Sequence, residues 1–498
     1  MQLEVLFLPK VTEISNASLF CQSLQAVKEA RSHSSLIRWL RREPVWFSVS
    51  SALFQKACDG LPHFNLLRRA ASGAKNCITG SRLLQLLAGK AWLLLFVLAA
   101  YPVVDFVTRR LGRNIGGLTG AWDELFLLLG LSLIAIRVLC KGLETCRRSE
   151  LDLPLFIYFG IFLFLFFIRS PETAVGIDGV RVYLQYALWF FVGLNLPDTY
   201  RQVKSLTAFF VLVCAAIALH GIWQYIAGVP VPGHWLDQAE AGLRTRAFSL
   251  VGSPNVLGSL LSLALPVGIA GFSTAASRLS RTGYAIATAL MAVCLLVTFS
   301  RGAWLAAFLG LAFFALLAKP RLLWGLGAAV LLAPAVFPGI AGRVMYLFSA
   351  DYLASSERAG RIARWQAAFD RLQLHPLTGE GFGRFGGAVA TRAIPGSFYV
   401  DNFYLKTAAE GGVLALLTLL WVLFCAWRAG YRAVAALSYP AAKTLAAAFL
   451  GGLTAVLLHN AVENIFEVPM MSTLFWLILG LLQALPRLSP PAAQQRGN

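Results

Sequence analysis

Apolar stretches of roughly 16 to 24 residues recur along most of the chain, and each is long enough to cross a hydrocarbon layer of about 30 Å as a helix. Lipid leaves a backbone two ways to satisfy its amides, helices and closed barrels. The strict two-residue alternation of a membrane barrel is absent from the sequence. An all-α, polytopic integral membrane helical bundle is therefore expected. Charged residues make up only 13% of the chain and hydrophobic ones 58%, whereas a soluble domain carries about a quarter of its residues as charges. Spans are expected near 91–108, 119–139, 153–168, 180–196, 206–227, 254–273, 283–299, 302–318, 323–339, 402–427, 444–462 and 470–486, about twelve transmembrane helices in all.

Lysine and arginine in short loops favour the cytoplasmic side. Arg137, Lys141, Arg147, Arg148, Arg201, Lys204, Arg278, Arg281, Lys319, Arg321, Arg428, Arg432 and Lys443 all fall on one side of this topology. The reading that follows is a multi-pass protein of the inner (cytoplasmic) membrane with both termini in the cytoplasm. It divides the chain into a basic N-terminal segment 1–90, a membrane domain 91–486 and a cytoplasmic tail 487–498. Segment 1–90 mixes its basic residues with Trp39, Trp46, Phe47, Phe54 and Phe64, as an amphipathic element on anionic lipid would; a loosely ordered tail is the alternative. Its first residues lack the early apolar region of a cleavable signal. The net charge of +19 is scattered between spans rather than gathered with aromatics, which argues for membrane lipids as partners and against nucleic acid.

The longest external connection is 341–400, and long loops with a helical pattern of their own tend to carry function. Ile362, Trp365, Phe369 and Leu372 recur at helical spacing there, with Arg358, Arg361, Arg364 and Arg371 on an adjoining arc. Amphipathic helices are expected in this loop. His375-Pro376 should end one of them, and Gly379, Gly381 and Gly383 permit a tight turn after it.

The outward-facing cations are almost all arginine, Lys406 being the exception. Arginine is the preferred forked partner of phosphate oxygens, so an anionic ligand is expected at that face. Ser253-Pro254-Asn255 reads as a serine cap with proline at the first helical position, a helix start just beyond Arg244 and Arg246 that accepts anions readily. Arg301 lies between two apolar runs with almost no loop around it, where a charge needs a polar cavity or partner. His459, Asn460, Glu463, Asn464 and Glu467 form a polar cluster at the end of the eleventh span, with Glu463 and Glu467 read onto one helical face where they could hold an arginine. Asp401 could cap the tenth span.

Five pieces in order, Arg244-Thr-Arg246 through Ser253-Pro-Asn255, Ser300-Arg301-Gly-Ala-Trp, Gly360-Arg361-x3-Trp365, His375-Pro-Leu-Thr-Gly-Glu-Gly-Phe-Gly383 and Asp401-Asn402-x-Tyr-Leu-x4-Glu410-x-Gly412, resemble the O-antigen ligase and Wzy-type polymerase family. The likeness covers 240–425 by motif. It implies a GT-C-like membrane glycosyltransferase that acts on an undecaprenyl-diphosphate-linked glycan at the outer face, with a glycan or lipid acceptor and with no cofactor, metal or nucleotide sugar. Arg246, Arg301 and Arg361 would engage the diphosphate, supported by Arg244, Arg364, Asn255, Asn402 and Glu463. Ligases of the family usually have a histidine, taken as the base, where this chain has Asp401; Asp401 or Glu410 would serve instead. Cyanobacterial proteins once proposed as bicarbonate transporters are similar too, so transport of an anion or of a lipid-linked glycan is the alternative. The eight cysteines and six histidines show no metal-ligand spacing, and no nucleotide-binding fingerprint is present.

Overall fold

The computed structural model describes residues 35–44, 46–47, 81–111, 121–142, 145–230, 245–336 and 360–489, with a few positions between 342 and 357. Arg244, Arg358, Phe54, Phe64 and most of segment 1–90 lie outside the described residues. Regular structure among those described is helical, apart from one isolated bridge between Pro230 and Thr245.

In chain order the helices are α1 (Ser35–Arg41), α2 (Arg82–Lys90), α3 (Leu94–Ala99), α4 (Tyr101–Leu111), α5 (Trp122–Lys141), α6 (Asp152–Ile168), α7 (Thr173–Leu184), α8 (Trp189–Asn195) and α9 (Tyr200–Ile226). They continue with α10 (Pro254–Thr274), α11 (Arg278–Val297), α12 (Arg301–Ala318), α13 (Leu322–Val336), α14 (Arg361–Leu374), α15 (Ala388–Ala393), α16 (Phe403–Ala436), α17 (Pro440–His459) and α18 (Pro469–Leu488).

Seven of these, α9 to α12 and α16 to α18, are long and apolar enough to cross a membrane. Each coincides with an expected span. An eighth would be the pair 85–99 and 101–111 taken together, but the chain bends there by 75°. Pro102 is the physical cause: it has no N–H to return to the preceding turn, and its ring crowds that turn's carbonyl. The remaining expected spans take other forms. The α6 and α13 helices have 17 and 15 residues, and the expected 180–196 run is broken into α7, a 3-10 turn at Tyr186–Leu188, and α8. Polar groups interrupt the α5 surface, where Arg137 is buried and donates to the carbonyl of Asn195 (3.1 Å).

The α18 helix is the most enclosed of the seven. Between apolar helices in lipid, attraction comes from close packing, and small residues supply it here. A Cβ added at Gly480 would lie 2.2 Å from the Phe190 carbonyl oxygen of α8, and one at Gly451 of α17 would lie 2.8 Å from that of Gly310 in α12. Backbones therefore touch along α8/α18 and α12/α17, which fixes the ends of α12 and α17 relative to each other.

The loop before α16 docks against a break in that helix. Gly412 has φ +69° and splits α16, and the carbonyls released near it are taken by the loop: Glu380 N–H donates to Ala409 O and Gly381 N–H to Glu410 O, both at 2.9 Å. Val413 N–H returns a bond to Pro376 O at 2.8 Å. The expected turn is present, with His375 ending α14 and Gly379, Gly381 and Gly383 all at positive φ. Its packing face differs from expectation. Ala368 is the buried residue of α14 and Trp365 packs beside it, while Ile362 and Phe369 stay exposed at 40% and 47%, because the short Ala368 side chain lets α14 lie close to α16.

Candidate active site

The starts of α10, α12, α14 and α16 and the end of α17 meet at one end of the bundle. Ser253 caps α10 by accepting from Val256 N–H, with Pro254 at the first helical position. Ser300 caps α12 by accepting from Ala303 N–H. Asn402, rather than Asp401, caps α16, its Oδ1 accepting from Tyr404 and Leu405 N–H at 3.0 Å each. Four positive helix ends therefore converge, each worth about half a unit charge.

A polar relay runs across these ends. Arg246, buried, donates from Nε to Thr298 O (2.9 Å) and from Nη2 to Asn255 Oδ1 (3.2 Å). Asn255 Nδ2 donates to Glu463 Oε1 at 2.5 Å. The same oxygen accepts from Arg361 Nη2 at 2.8 Å. Arg361 Nε lies 4.0 Å from Asp401 Oδ2, which in turn accepts from Arg364 Nη1 at 2.7 Å. Residues spread over more than two hundred positions of sequence thus share one contiguous network. Arg301, the first residue of α12, is half-buried at the same end. Its neighbour Gly302 leaves no space for a side chain, since an added Cβ would meet Val462 at 2.8 Å and His459 Nε2 at 3.1 Å. His459 is fully buried, with neither ring nitrogen hydrogen-bonded.

Burial raises both carboxylates of the relay. For Glu463 it is the largest cause, the nearby charge of Asp401 is the next, and together they push the carboxyl up to about 7 against the opposing pull of Arg361. Asp401 is raised by burial too, with Arg361 and Arg364 opposing.

Backbone strain gathers here as well. Among the described residues, Ser249, Phe299 and Asp401 are the non-glycine residues at positive φ (49°, 52° and 53°), a region costly for L side chains and common at functional sites. All three lie within a few residues of Arg246, Arg301 or Arg361's partner carboxylate.

Two sequence expectations fall elsewhere. Glu463 and Glu467 do not share a helical face, because α17 ends at His459 and Asn460 redirects the chain: its Oδ1 accepts from Phe466 N–H and its carbonyl from Phe403 N–H (3.0 and 2.9 Å). Glu467 points instead into a second cluster with Lys406, Glu410 and Tyr183. Lys406 Nζ is 2.5 Å from Glu410 Oε2 and 3.4 Å from Glu467 Oε1, and Tyr183 Oη donates to Glu410 Oε2 at 2.9 Å. Glu410 and Lys406 are essentially without solvent exposure, so Glu410 is not brought to Asp401. The four-residue spacing of Lys406 and Glu410 was the available sequence signal for this pair; nothing in the sequence marked Tyr183. Amides of the docked loop complete the cluster, Phe385 N–H on Glu410 and Ala388 N–H on Glu467.

Residues 286–420 match the family model described as O-antigen ligase. The matched stretch contains Arg301, Arg361, Arg364, Asp401 and Glu410 and leaves Arg246, Asn255 and Glu463 outside it. No curated protein matches the chain.

Proposed function

On the match of residues 286–420 to the O-antigen ligase family model, we propose that the chain is a membrane glycosyltransferase of that family. Its donor is a glycan on a polyprenyl diphosphate, and its acceptor is a hydroxyl of a second glycan or a lipid at the outer face of the cytoplasmic membrane. The observation that carries the reading is the relay itself: guanidinium groups from separate segments, at the positive ends of four helices, held by shared partners at one end of a bundle of membrane-spanning helices.

The chemistry follows from charge. The acceptor oxygen attacks the anomeric carbon, the bond from that carbon to the diphosphate oxygen breaks, and the diphosphate leaves with the electron pair. Charge grows on the leaving group, and guanidinium groups already in place stabilise it without reorganisation. Arg246, Arg361 and Arg364 share the relay with Asp401 and Glu463, and Arg301 begins α12 at the same end. Arg246, Arg301 and Arg361 are the diphosphate ligands in this reading; Arg364 and Asn255 orient them, and Asp401 holds Arg364. The reaction so written uses the chain's own side chains as counter-charges and a GT-C-like helical scaffold to position them.

Reconstitution in vesicles with a polyprenyl-diphosphate oligosaccharide and a glycan acceptor tests it. Arg361→Ala and Arg301→Ala should each lower the transfer rate by about 10²- to 10³-fold. Unchanged transfer in both variants rejects the diphosphate assignment, and anion uptake without any transfer rejects the enzyme reading.

A further inference from the structure

Resting on that reading, we propose that Glu463 takes the proton from the acceptor hydroxyl, and that the arriving diphosphate frees it for this task by drawing Arg361 away. As the acceptor oxygen bonds to the anomeric carbon, its proton passes to Glu463 Oε2 and the diphosphate departs, so the glycan changes partner and one carboxylate ends protonated.

Geometry distinguishes Glu463 from the other candidates. Its Oε1 carries both hydrogen bonds, from Asn255 and Arg361, and the described residues place no donor on Oε2. The side chain retains 12% exposure. Asp401 instead has its Oδ2 committed to two guanidinium groups, 2.7 Å from Arg364 and 4.0 Å from Arg361, so it is tied to a second arginine that the diphosphate would not draw away. Glu410 is closed off with Lys406 and Tyr183. His459 is fully buried behind Gly302.

Arg361 and Glu463 in the free protein satisfy each other, the carboxylate standing where a phosphate oxygen would be. A diphosphate offers the same fork more charge and more oxygens. Once Arg361 turns to it, Glu463 loses the cation that opposes protonation, and its basicity rises as the donor is seated. The groups facing it are Arg246 from the segment before α10, Asn255 of α10, Arg361 of α14, Asp401 before α16 and His459 of α17. Burial and the nearby charge of Asp401 already place the carboxyl at about 7, where a general base works best at neutral pH.

The test is transfer kinetics against pH for the wild type, Glu463→Gln and Asp401→Asn in vesicles, with donor binding measured separately. Glu463→Gln keeps an acceptor for Asn255 and Arg361 but cannot take a proton. It should lower kcat by about 100-fold or more while donor affinity stays within about threefold, and its rate should lose the acidic limb. In the wild type the acidic limb of kcat, which reports the donor complex, should lie at higher pH than that of kcat/KM, which reports the free protein. A purely structural Glu463 would show weaker donor binding with the limb retained, and that result overturns the proposal. So does loss of the limb in Asp401→Asn alone. Should Glu463→Gln fail to fold, the two wild-type limbs decide, and their coincidence is the overturning outcome. Transfer by both wild type and Glu463→Gln at equal rates sinks only this inference; absence of transfer by the wild type sinks the glycosyltransferase reading with it.

Discussion

Arg361 stands between two carboxylates that differ in their commitments, Glu463 at 2.8 Å and Asp401 at 4.0 Å, and its planar fork is what lets it serve both. Arg361→Lys keeps the charge and loses the fork. Donor KM should rise by about tenfold in that variant with a smaller change in kcat, whereas Arg361→Ala should lower both, as steady-state transfer assays would show. Glu463 also leaves a mark on stability. Its folded-state carboxyl is raised to about 7 from an ordinary value of 4.5, so the folded protein binds this proton more tightly than the unfolded chain does. Its contribution is fully present below the unfolded value and is lost as pH rises through about 7. Thermal unfolding in detergent should therefore show a decline between those pH values that is steeper in the wild type than in Glu463→Gln; equal slopes would contradict the shift. Much of this network was legible beforehand. Arg246 and Asn255 were marked by the helix start at Ser253-Pro254, Arg361 by the basic arc of its loop helix, and Glu463 by the polar cluster after α17. The separation of Glu410 from Asp401 was not, because nine residues of chain say little about which way each side chain turns once a helix starts between them.

The break in α16 decides where the docked loop lies. A Cβ at Gly412 would fall 2.3 Å from the Leu377 carbonyl carbon and oxygen, at a φ that L residues avoid. Gly412→Ala should cost about 1–3 kcal/mol and displace the 375–381 turn, lowering transfer without touching any arginine; a crystal-clear control is Gly325→Ala, whose added Cβ meets nothing within 4 Å. Thermal midpoints and transfer rates of the two variants check this. Apolar run length identified the seven continuous helices well, since hydrocarbon thickness sets the length that pays off in burial. It was less informative for 91–108 and 180–196, where Pro102 and a 3-10 turn break an apolar stretch that hydropathy reads as unbroken. The end of α17 was misread for a related reason: polar residues can extend a helix or cap it, and Asn460 does the second.

Viewed entire, the molecule has two unlike ends. At one lies the arginine relay; at the other, Arg428 near the end of α16 donates to the carbonyls of Trp39 and Arg42 (3.0 and 2.9 Å) and lies 4.5 Å from the Trp39 ring, tying α1 to the bundle. With α16 crossing the membrane, Ala393→Cys and Ser438→Cys, both exposed positions, must face opposite compartments. In a cysteine-free background an impermeant maleimide should label the first in intact cells and the second only after permeabilisation; labelling of both from outside would refute the orientation. The relay also fixes an order of events during synthesis. Arg246 and Asn255 leave the ribosome long before Glu463, which arrives only after α17. On the proposed reading, a nascent chain therefore has no finished grip on the diphosphate until the segment after α17 has emerged, so shorter translation intermediates should bind no donor.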